Sequence, residues 1–581
     1  MKNINKELNH SASHLLALAV IKLFPDVQLG FGPATDEGFY YDFKFVNPLS
    51  EHDLIKIEKM MQKLANNNFV MKQTLGTQID FSKQIFKKEL LDQFTSENRK
   101  ITFFSIVNPT KNEYLFEDLC AGGHIENMKQ IKHFKLLSIA GAYWRGKVEN
   151  EQLTRIYGTA WDTKEELEEF LHILQERKER DHRKLGKELK LFTFNKLFGQ
   201  GFPIWLEDGM KIVNKIKEKI LFYDKKYGFK EVFTPHFGEQ KLYEISGHFT
   251  HYKEDMFGAL VVEGENLIPR PMTCPHHIIL FDTFKKSYRE LPYRISEQSR
   301  LYRYEKSGAL TGLERVRSML LTEGHIFVAK TQIVDEFKHL YQMISEVLKF
   351  FKIEVNYVSF SKRDPENKEK FFDDDQMWNQ AESDLEKVLK ELGVEYQEKI
   401  GEAAFYGPKI DFQIKTVLNH EITISTLQLD FLLPKKFDIS FINQDNAKET
   451  PILIHRGLIG TYERFVSILL EQTKGILPFW LSPKQFVVIP IENSKHSDFA
   501  LEIAKKLEEL NFNVTVDDRN ERINKKIREA QMQKTKFQII VGDQEVENKN
   551  ITYREYGQQN SNTLNFEDLI KFIKAKIENN E

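Results

Sequence analysis

The most telling segment of this 581-residue chain is Arg300-Leu-Tyr-Arg-Tyr-Glu305, which continues through Ser307-Gly-Ala-Leu-Thr-Gly312 to Arg315-Val-Arg317. It predicts a strand, a glycine-rich loop and a second strand, with arginines on both arms of the hairpin. Guanidinium groups suit phosphate because their planar fork donates two hydrogen bonds and stays charged. Each arginine alone would more simply be a surface ion-pair partner, so the inference depends on the group.

The segments around this hairpin predict an α+β domain over residues 191–481. A helix is predicted over 211–227, and further helices near 331–350 and 378–392. Strand-like runs stand at 231–234, 293–295, 315–317, 325–328, 410–414 and 427–431. Helices scattered among such strands favour a mostly antiparallel sheet. Arg464 lies in Gly460-Thr-Tyr-Glu-Arg464, at the start of an apolar helix.

Three further blocks make the chain an α+β multidomain protein. Residues 1–161 combine a helix from Ala12 to Phe24 with short aromatic strands such as 38–42. Residues 162–190 begin with an N-cap and early acids, which predicts a charged helix running to about Lys184. This helix is either a solvated linker or an RNA-facing surface. In residues 485–578, strands and helices alternate as in a small α/β domain with parallel strands.

Composition limits the function. The net charge of −3 argues against a non-specific polyanion binder, although a specific RNA partner needs only local positive surface. The two cysteines cannot build a disulfide framework, so they are ligands, nucleophiles or core residues. We find neither a signal peptide nor an apolar run of membrane-spanning length, and we expect a cytoplasmic protein without a membrane partner.

Two sets of cysteine and histidine side chains stand out. Cys274, His325 and His455 are metal-type ligands, but they are far apart in sequence, and a single such residue near apolar strands usually belongs to the core. His10 and His14 share one face of a helix, and the run Asp118-Leu-Cys-Ala-Gly-Gly-His124 adds a cysteine and a histidine. The second set is either a metal site or a stabilising polar cluster.

The arginine segments resemble the motifs of class II aminoacyl-tRNA synthetases. Residues 303–317 resemble motif 2, residues 460–465 resemble motif 3, and the helix 211–227 with the segment 231–235 resembles motif 1, which builds the dimer interface in that class. The resemblance implies an antiparallel catalytic sheet, ATP with Mg²⁺, and a homodimer. It also implies that Arg303 binds the α-phosphate and that Arg464 binds the γ-phosphate. Glu305 would face the adenine amino group, and Arg315 would also contact ATP.

Within that class, Cys274, His325 and His455 fall on the positions of the zinc site of threonyl-tRNA synthetases. The implied substrates are L-threonine, ATP and tRNA(Thr), with one Zn²⁺ per subunit. A zinc ion with open positions can bind the amine and hydroxyl of threonine, which excludes valine. Serine carries the same groups, and a missing methyl is worth only ~1–3 kcal/mol. The resemblance therefore implies a second, hydrolytic site.

The first block resembles the editing domain shared by threonyl- and alanyl-tRNA synthetases, which in the threonyl family hydrolyses seryl-tRNA(Thr). The carried-over residues are His10, His14, Tyr41, Asp118, Cys120 and His124. We expect the water there to be activated by polar groups.

The resemblance also assigns roles to a few further residues. His248 resembles the histidine that assists transfer to the tRNA ribose, where neutral imidazole is a suitable base. Substrate-pocket segments supply Met272, Tyr406, Lys409 and Gln428. The last block resembles the anticodon-binding domain of the same subclass, and it supplies Asn520, Glu545 and Arg554. Such side chains suit the edges of unstacked bases.

Three features depart from the family pattern. The small ubiquitin-like domain that commonly precedes the editing block is missing from this sequence. The run Leu321-Thr-Glu323 stands where the family commonly has Gln-Asp-Asp, and we expect Glu323 to accept a hydrogen bond from the substrate hydroxyl. Ala121 replaces an arginine that commonly follows the editing cysteine, which predicts weakened editing.

Alternatives remain. A prolyl- or histidyl-tRNA synthetase would share the motifs but not the Cys274, His325 and His455 set with an editing-like first block. A non-catalytic RNA-binding paralogue would usually have lost a phosphate arginine or a zinc ligand. A zinc hydrolase built on the first block alone leaves the remaining domains without a role.

Overall fold

The computed structural model describes residues 4–74, 81–147, 149–284 and 286–580. The chain divides into two compact units, Met1–Glu176 and Arg177–Glu581. The scheme of four blocks stays a prediction. Among the helices that the structure describes, none combines the length and apolar character needed to cross a membrane.

The first unit packs helices against two antiparallel sheets. Its elements are α1 (Lys6–Leu23), β1 (Gln28–Leu29), β2 (Phe39–Lys44), α2 (Glu51–Ala65), β3 (Val70–Thr74), α3 (Ile85–Ser96), β4 (Phe103–Asn108), β5 (Glu113–Leu119), β6 (His133–Tyr143) and β7 (Gln152–Trp161), followed by α4 (Lys164–Arg180). One sheet has the order β1-β2-β7-β6 and the other β3-β4-β5.

Helix α1 is the centre of this unit. It begins at Lys6 rather than at the predicted Ala12, because the side chain of Asn5 caps it by accepting the Leu8 N–H at 3.1 Å. Nearly all of its residues from 11 to 20 are buried. The helix therefore holds His10 and His14 on a fixed support.

The second unit is built on an eight-stranded sheet. The elements up to residue 473 are α5 (His182–Glu188), β8 (Phe192–Thr193), β9 (Ile204–Trp205), α6 (Glu207–Lys226), β10 (Lys230–Glu231), β11 (Phe237–Glu239), α7 (Gln240–Ser246), α8 (His248–His251), β12 (Leu260–Val262), β13 (Glu265–Pro269), α9 (Cys274–Asp282), β14 (Lys286–Ser287), β15 (Tyr293–Tyr302), β16 (Ser318–Val328), α10 (Ile333–Phe350), β17 (Tyr357–Lys362), α11 (Asp375–Glu391), β18 (Tyr396–Ile400), β19 (Lys409–Lys415), β20 (Glu421–Asp430), α12 (Leu433–Lys436), β21 (Phe441–Ile442), β22 (Lys448–Glu449), β23 (Ile452–Thr461) and α13 (Tyr462–Thr473).

The sheet order is β10-β15-β16-β23-β20-β19-β17-β18, and only the two outer pairs are parallel. The predicted antiparallel core is thus confirmed. Successive side chains of a strand point to opposite faces. Ile326, Leu427 and Ile454 enter the core beneath helices α6, α10, α11 and α13, whereas their neighbours His325, Gln428 and His455 line a cavity on the other face.

The arginine hairpin forms with one difference. β15 and β16 pair antiparallel from Tyr293↔Phe327 to Tyr302↔Ser318. The run Arg315-Val-Arg317 was predicted as a strand, but it lies in the connecting loop, where the Arg303 N–H donates to the Arg317 carbonyl at 2.9 Å.

The predicted charged helix is interrupted. α4 ends at Arg180, and Asp181 caps the separate helix α5 by accepting the Arg183 N–H at 2.8 Å. A residue that prefers the N-cap position ends one helix and starts the next.

The last region is an α/β layer. It contains β24 (Phe486–Pro490), α14 (Asn493–Glu509), β25 (Val514–Val516), α15 (Ile523–Met532), β26 (Phe537–Val541), α16 (Asp543–Asn548), β27 (Ile551–Glu555), β28 (Asn562–Leu564) and α17 (Phe566–Glu578). β25, β24 and β26 are parallel, as predicted, and β27 and β28 extend the sheet antiparallel.

Candidate active sites

One cavity gathers most of the residues predicted for catalysis. It has a volume of about 570 Å³ and lies over β16, β20 and β23 of the second unit. The predicted residues that line it are His248, Met272, Cys274, Arg303, Glu305, Arg315, Glu323, His325, Tyr406, Gln428 and His455. A cavity of this size accommodates a small substrate together with part of a nucleotide.

Three of these side chains converge as ligands. Cys274 is the first residue of α9, and His325 and His455 are paired across β16 and β23. Their ligand atoms lie within 4.8 Å of one another. The distance between His325 Nε2 and His455 Nδ1 is 3.1 Å, close to the roughly 3.3 Å edge expected for a tetrahedral zinc with Zn–N bonds of about 2.0–2.1 Å.

Each histidine is held from behind, and this sets its tautomer. His455 Nε2 donates to Asp430 Oδ2 at 2.9 Å, because Asp430 already accepts the Leu432 and Leu433 N–H groups and acts as a carboxylate. The Nδ1 lone pair of His455 therefore faces the cluster. Metal-bound histidines typically have such a carboxylate partner.

A longer chain holds His325. His277 Nε2 donates to Glu297 Oε2 at 3.1 Å, and Arg270 donates to the other oxygen at 2.7 Å. Burial opposes ionisation of Glu297, but hydrogen bonds from His277 and Arg270 lower its pKa to about 2. His277 Nδ1 then accepts from His325 Nδ1 at 2.8 Å, which leaves the Nε2 lone pair of His325 facing the cluster.

The two facing nitrogens are therefore both acceptors, and the donor set fits a cation between them. Burial lowers the pKa of His325 well below its usual value, which keeps the ring neutral and able to ligate. Burial also raises the pKa of the Cys274 thiol well above its usual value. A bound cation reverses that preference, because a coordinating thiol loses its proton.

Glu323 supplies an unsatisfied acceptor in the same cavity. Glu323 lies two residues before His325 on β16, so both side chains point to the same face of the sheet and line this cavity. Its Oε2 is buried and has no hydrogen-bond partner among the residues that the structure describes. A buried acceptor in this state is available to a hydrogen-bond donor that enters the cavity. Beside it, the Tyr406 ring stacks on His455, and its hydroxyl donates to Gln428.

The arginines flank this cavity. Arg303 lines it and donates from Nε to the Pro271 carbonyl at 3.1 Å. Arg464 lies in an adjoining cavity of about 390 Å³, and Arg315 lines both cavities. Burial lowers the pKa of Arg464, whereas Glu314 raises it. Guanidinium remains charged under such conditions, so each cavity presents guanidinium groups to a ligand, with carboxylates such as Glu305 and Glu314 beside them.

His248 and Lys409 differ in their placement. His248 is buried, lies 3.9 Å from Cys274 Sγ, and contacts Ser246 Oγ at 2.8 Å. Burial, then the neighbouring His455 and Lys436, lower its pKa to about 3, so it is a neutral base. Lys409 donates to Asp411 at 2.7 Å, and it is not among the described residues that line the cavity.

The first unit holds a second cluster of the same ligand types. Ligand atoms of His10, His14, Cys120 and His124 lie within 4.8 Å of one another. Cys120 Sγ is 3.4 Å from His10 Nε2 and 3.1 Å from His124 Nε2. His124 Nδ1 meets the Ser11 hydroxyl at 3.1 Å, and among the described residues His14 Nδ1 has no partner.

This second cluster is uncharged. Burial raises the pKa of Cys120 to about 11 and lowers that of His124 to about 2, with His14 and His10 adding to the latter shift. Burial also lowers the pKa of His10 and of His14. Neutral rings around a protonated thiol form a polar pocket that can orient a water molecule.

The charge beside this pocket comes from a residue that the sequence analysis missed. Lys87 is 1% exposed, forms an ion pair with Asp118 Oδ1, and lies over the Tyr41 ring at 5.3 Å. Tyr41 donates to Asp118 Oδ2 at 2.6 Å. One signal was available, because Lys87 shares the apolar face of α3 with Leu90, Leu91 and Phe94.

The three predicted anticodon residues are not brought together. Asn520 and Glu545 follow β25 and β26, at the carboxyl edge of the parallel strands, whereas Arg554 pairs with Gln538 near the opposite edge. Both carboxylate oxygens of Glu545 are engaged, by the Gly542 N–H at 2.9 Å and by Thr552 Oγ1 at 2.7 Å.

Comparison with known families assigns each region. Residues 252–473 match the sequence model of the class II tRNA synthetase core domain (G, H, P, S and T). Residues 485–576 match the anticodon binding domain. Residues 105–157 match the second additional domain of threonyl and alanyl tRNA synthetases.

Individual proteins agree with these matches. The chain is 59% identical to a threonine–tRNA ligase of Mycoplasmopsis pulmonis, covering 100% of this chain and 98% of that protein. It is 48% identical to one of Ureaplasma parvum, covering 99% of each. The solved RNA-binding domain of a threonyl-tRNA synthetase from Cryptosporidium parvum superposes with a TM-score of 0.65 at 32% identity, covering 68% of this chain and 98% of that one.

Proposed function

This chain belongs to the threonine–tRNA ligase family, and from that membership we propose how its two ligand clusters divide the work. The chain activates threonine with ATP and joins it to tRNA. The cavity over the eight-stranded sheet carries out activation and transfer, and the pocket of the first unit hydrolyses tRNA charged with serine.

Activation needs positive charge around the phosphates. The threonine carboxylate forms a bond to the α-phosphorus of ATP while the bond to pyrophosphate breaks. Arg303 and Arg464 stabilise the charge that develops on the phosphate oxygens, with Mg²⁺ bound to ATP, and Glu305 and Arg315 contact the nucleotide. Their positions in two adjoining cavities support this role.

Selection of threonine is proposed for Cys274, His325 and His455, which would hold one Zn²⁺. The ion, when bound, supplies open coordination positions for the amine and the hydroxyl. The free Oε2 of Glu323 accepts from the substrate hydroxyl, and Tyr406 with Gln428 closes the pocket beside it. The observation that carries this proposal is the pair of facing acceptor nitrogens on His325 and His455.

Transfer follows in the same cavity. The ribose hydroxyl of tRNA(Thr) attacks the carbonyl carbon of threonyl-adenylate, and AMP leaves. His248 is buried and neutral, so it can take the hydroxyl proton at Nε2, the ring nitrogen that Ser246 does not engage. Lys409 is proposed to act only through its ion pair with Asp411 on β19.

Hydrolytic editing is proposed for His10, His14, Cys120 and His124, with Tyr41 and Asp118 beside them. The neutral rings orient water toward the seryl ester, and Lys87 with Asp118 provides the charge. Asn520 and Arg554 are proposed to contact separate parts of the anticodon, and Glu545 is proposed to act there mainly by holding the first turn of α16.

The proposed assembly is a cytoplasmic homodimer. Phe222 on α6 is 57% exposed and Phe233 beyond β10 is 77% exposed, and both belong to the segment that resembles motif 1. Large apolar side chains that are exposed to this degree favour a protein partner, and a second copy of this chain fits the resemblance.

The test is threonine-dependent ATP–pyrophosphate exchange by the purified chain, run beside serine, valine and proline, with zinc assayed on the same sample. We expect strong exchange with threonine, weak exchange with serine and none with valine. A zinc-loaded protein that exchanges with no amino acid would instead be a non-catalytic paralogue.

A further inference from the structure

The segment that precedes α5 contacts the last turn of α13. Arg180 donates to the carbonyl oxygens of Glu471 and Gln472 at 3.1 and 3.0 Å. A cation at a helix C-terminus is favourable because the last carbonyl groups carry partial negative charge. α13 is the helix that also carries Arg464.

His182, the first residue of α5, makes two buried hydrogen bonds to different elements. Its Nδ1 lies 2.6 Å from Glu471 Oε1, and its Nε2 accepts the backbone N–H of Leu313 at 3.0 Å. A backbone N–H can only donate, so Nε2 carries a lone pair and Nδ1 carries the proton. The neutral ring therefore connects α13 to the loop between β15 and β16.

That loop returns to α13 through an arginine. The Glu314 carbonyl, one residue beyond Leu313, accepts from Arg464 Nε at 3.0 Å. The hydrogen bonds thus close a ring from His182 to Glu471, along two turns of α13 to Arg464, and back through Glu314 and Leu313. Arg315, which lines both cavities, is the next residue of the loop.

Gly312 shows how closely the imidazole approaches the loop. Its φ is +48°, and a Cβ atom there would lie 2.2 Å from His182 Nε2. Both the backbone conformation and the space require glycine. The contact between the ring and the loop is therefore direct.

We propose that His182 is a positioning residue for the ATP site, which holds the Leu313–Arg315 segment and Arg464 in register through its two hydrogen bonds. This inference rests on the proposed function, because it takes Arg464 as a phosphate ligand and Arg315 as a contact of the nucleotide. His182 itself is not among the described residues that line either cavity.

Two variants of the full chain separate the two bonds. His182→Asn can place an amide N–H where Nδ1 lies, which keeps the hydrogen bond to Glu471 and removes the one to the Leu313 N–H. His182→Gln can place an amide oxygen near Nε2, which keeps the hydrogen bond to the Leu313 N–H and removes the one to Glu471. Each variant loses one buried bond, so a loss of thermal stability is expected in both.

The measurement is ATP–pyrophosphate exchange with ATP and threonine varied separately. We expect His182→Asn to raise the KM for ATP about tenfold, the effect of leaving one buried donor unpaired. His182→Gln should stay within about threefold, and the KM for threonine should change less than about twofold in both. His339→Asn, a change at a half-buried histidine on α10 whose ring meets the Tyr227 carbonyl, is the matched control.

Equal ATP KM values in the Asn and Gln variants would overturn the proposal, as would parallel increases for ATP and threonine. If His182→Asn does not fold, Gly312→Ala tests the same contact from the loop side and should raise the ATP KM similarly. The variant Arg464→Ala distinguishes a failure of the proposed function from a failure of the inference about His182. An unaltered ATP KM in Arg464→Ala would contradict the phosphate role of Arg464 itself. A raised ATP KM in Arg464→Ala, together with an unaltered ATP KM in His182→Asn, would contradict only the inference about His182.

Discussion

The two ligand clusters use the same side-chain types but differ in what stands behind them. In the second unit, His455 is backed by Asp430 and His325 by His277 and Glu297, so both lone pairs face inward. In the first unit, His124 is backed by a serine hydroxyl, and among the described residues His14 Nδ1 has no partner. The charged groups of the first unit's site are Lys87 and Asp118, which lie beside the cluster and are not among its four ligand-type residues.

The difference teaches that ligand types alone do not specify a metal site. The hydrogen bonds on the far side of each ring fix its tautomer and direct its lone pair. We therefore propose one zinc per chain, in the cavity of the second unit, and hydrolysis by neutral polar groups in the first.

The largest expected effect comes from removing one ligand of each cluster in turn. Cys274→Ala should abolish zinc binding and reduce threonine-dependent exchange at least ~100-fold. Replacing a residue that only hydrogen-bonds to a metal ligand already lowers metal affinity or activity ~10–100-fold. Cys120→Ala should leave zinc content and exchange unaltered and impair only deacylation of seryl-tRNA(Thr). Two zinc ions per wild-type chain, one of them lost in Cys120→Ala, would break the comparison.

The charged pair of the first unit is the next test. Lys87→Met should reduce seryl-tRNA deacylation ~100-fold, as expected for loss of a group that supports proton transfer. It should also destabilise the first unit by ~3–5 kcal/mol, because the buried Asp118 is left without a counter-charge. Unfolding and deacylation assays on Lys87→Met and on Lys87→Met with Asp118→Asn measure both effects.

The double variant provides the control for Lys87. It should recover much of the stability, because no buried charge remains unpaired, while deacylation stays low. Recovery of deacylation in the double variant would show that Lys87 serves stability alone.

Replacing the carboxylate behind His455 should weaken zinc binding ~10–100-fold. In Asp430→Asn the amide oxygen must accept the two backbone N–H groups of Leu432 and Leu433, so the NH₂ group turns toward His455. That NH₂ group donates to His455 Nε2 and so favours the tautomer with its proton on Nδ1, which cannot bind the metal through Nδ1. Competition with a chelator measures the affinity. Ser11→Ala, the corresponding change behind His124, should leave zinc content as in the wild type, and an equal loss in both variants would contradict the assignment.

Glu323→Gln should raise the KM for threonine about tenfold and leave zinc content and the ATP KM unchanged, because a charged acceptor for the substrate hydroxyl is lost. Exchange kinetics at varied threonine give the answer. Leu321→Gln, which restores an amide common in the family, is a companion variant. Unaltered threonine activation in Glu323→Gln would contradict the proposed hydrogen bond between Glu323 and the substrate hydroxyl.

The smallest expected effect concerns the exposed Ala121. Ala121→Arg should raise seryl-tRNA deacylation about two- to fivefold, the range of a single exposed charge interaction of about 0.5–1 kcal/mol. Ala121→Glu should act in the opposite direction, and exchange should be unaltered in both. Identical deacylation by the three proteins would mean that this position does not affect editing.

Much of this arrangement could be predicted from local patterns. The strand at the end of β16 and the start of α13 follow from short-range preferences, and most of the residues predicted for catalysis, substrate binding and metal binding share one cavity. The strand β23 was not predicted. Lys87, His277 and His182 were not predicted, because the role of each depends on a partner more than 15 residues away: Asp118, His325 and Leu313. The break at Asp181 was missed because a charged helix continues equally well on either side of it.

The alternation of the strands also constrains how this protein can change over evolutionary time. Ile326 and His325, like Ile454 and His455, are adjacent residues that face opposite sides of one sheet. Insertion or loss of a single residue in β16 or β23 would exchange the two sets, placing imidazoles in the core and isoleucines in the cavity. Changes of length should therefore be confined to the connections between strands and to the irregular pairing opposite Leu321 and Glu323, while the regular stretch around His325 and His455 changes by substitution alone.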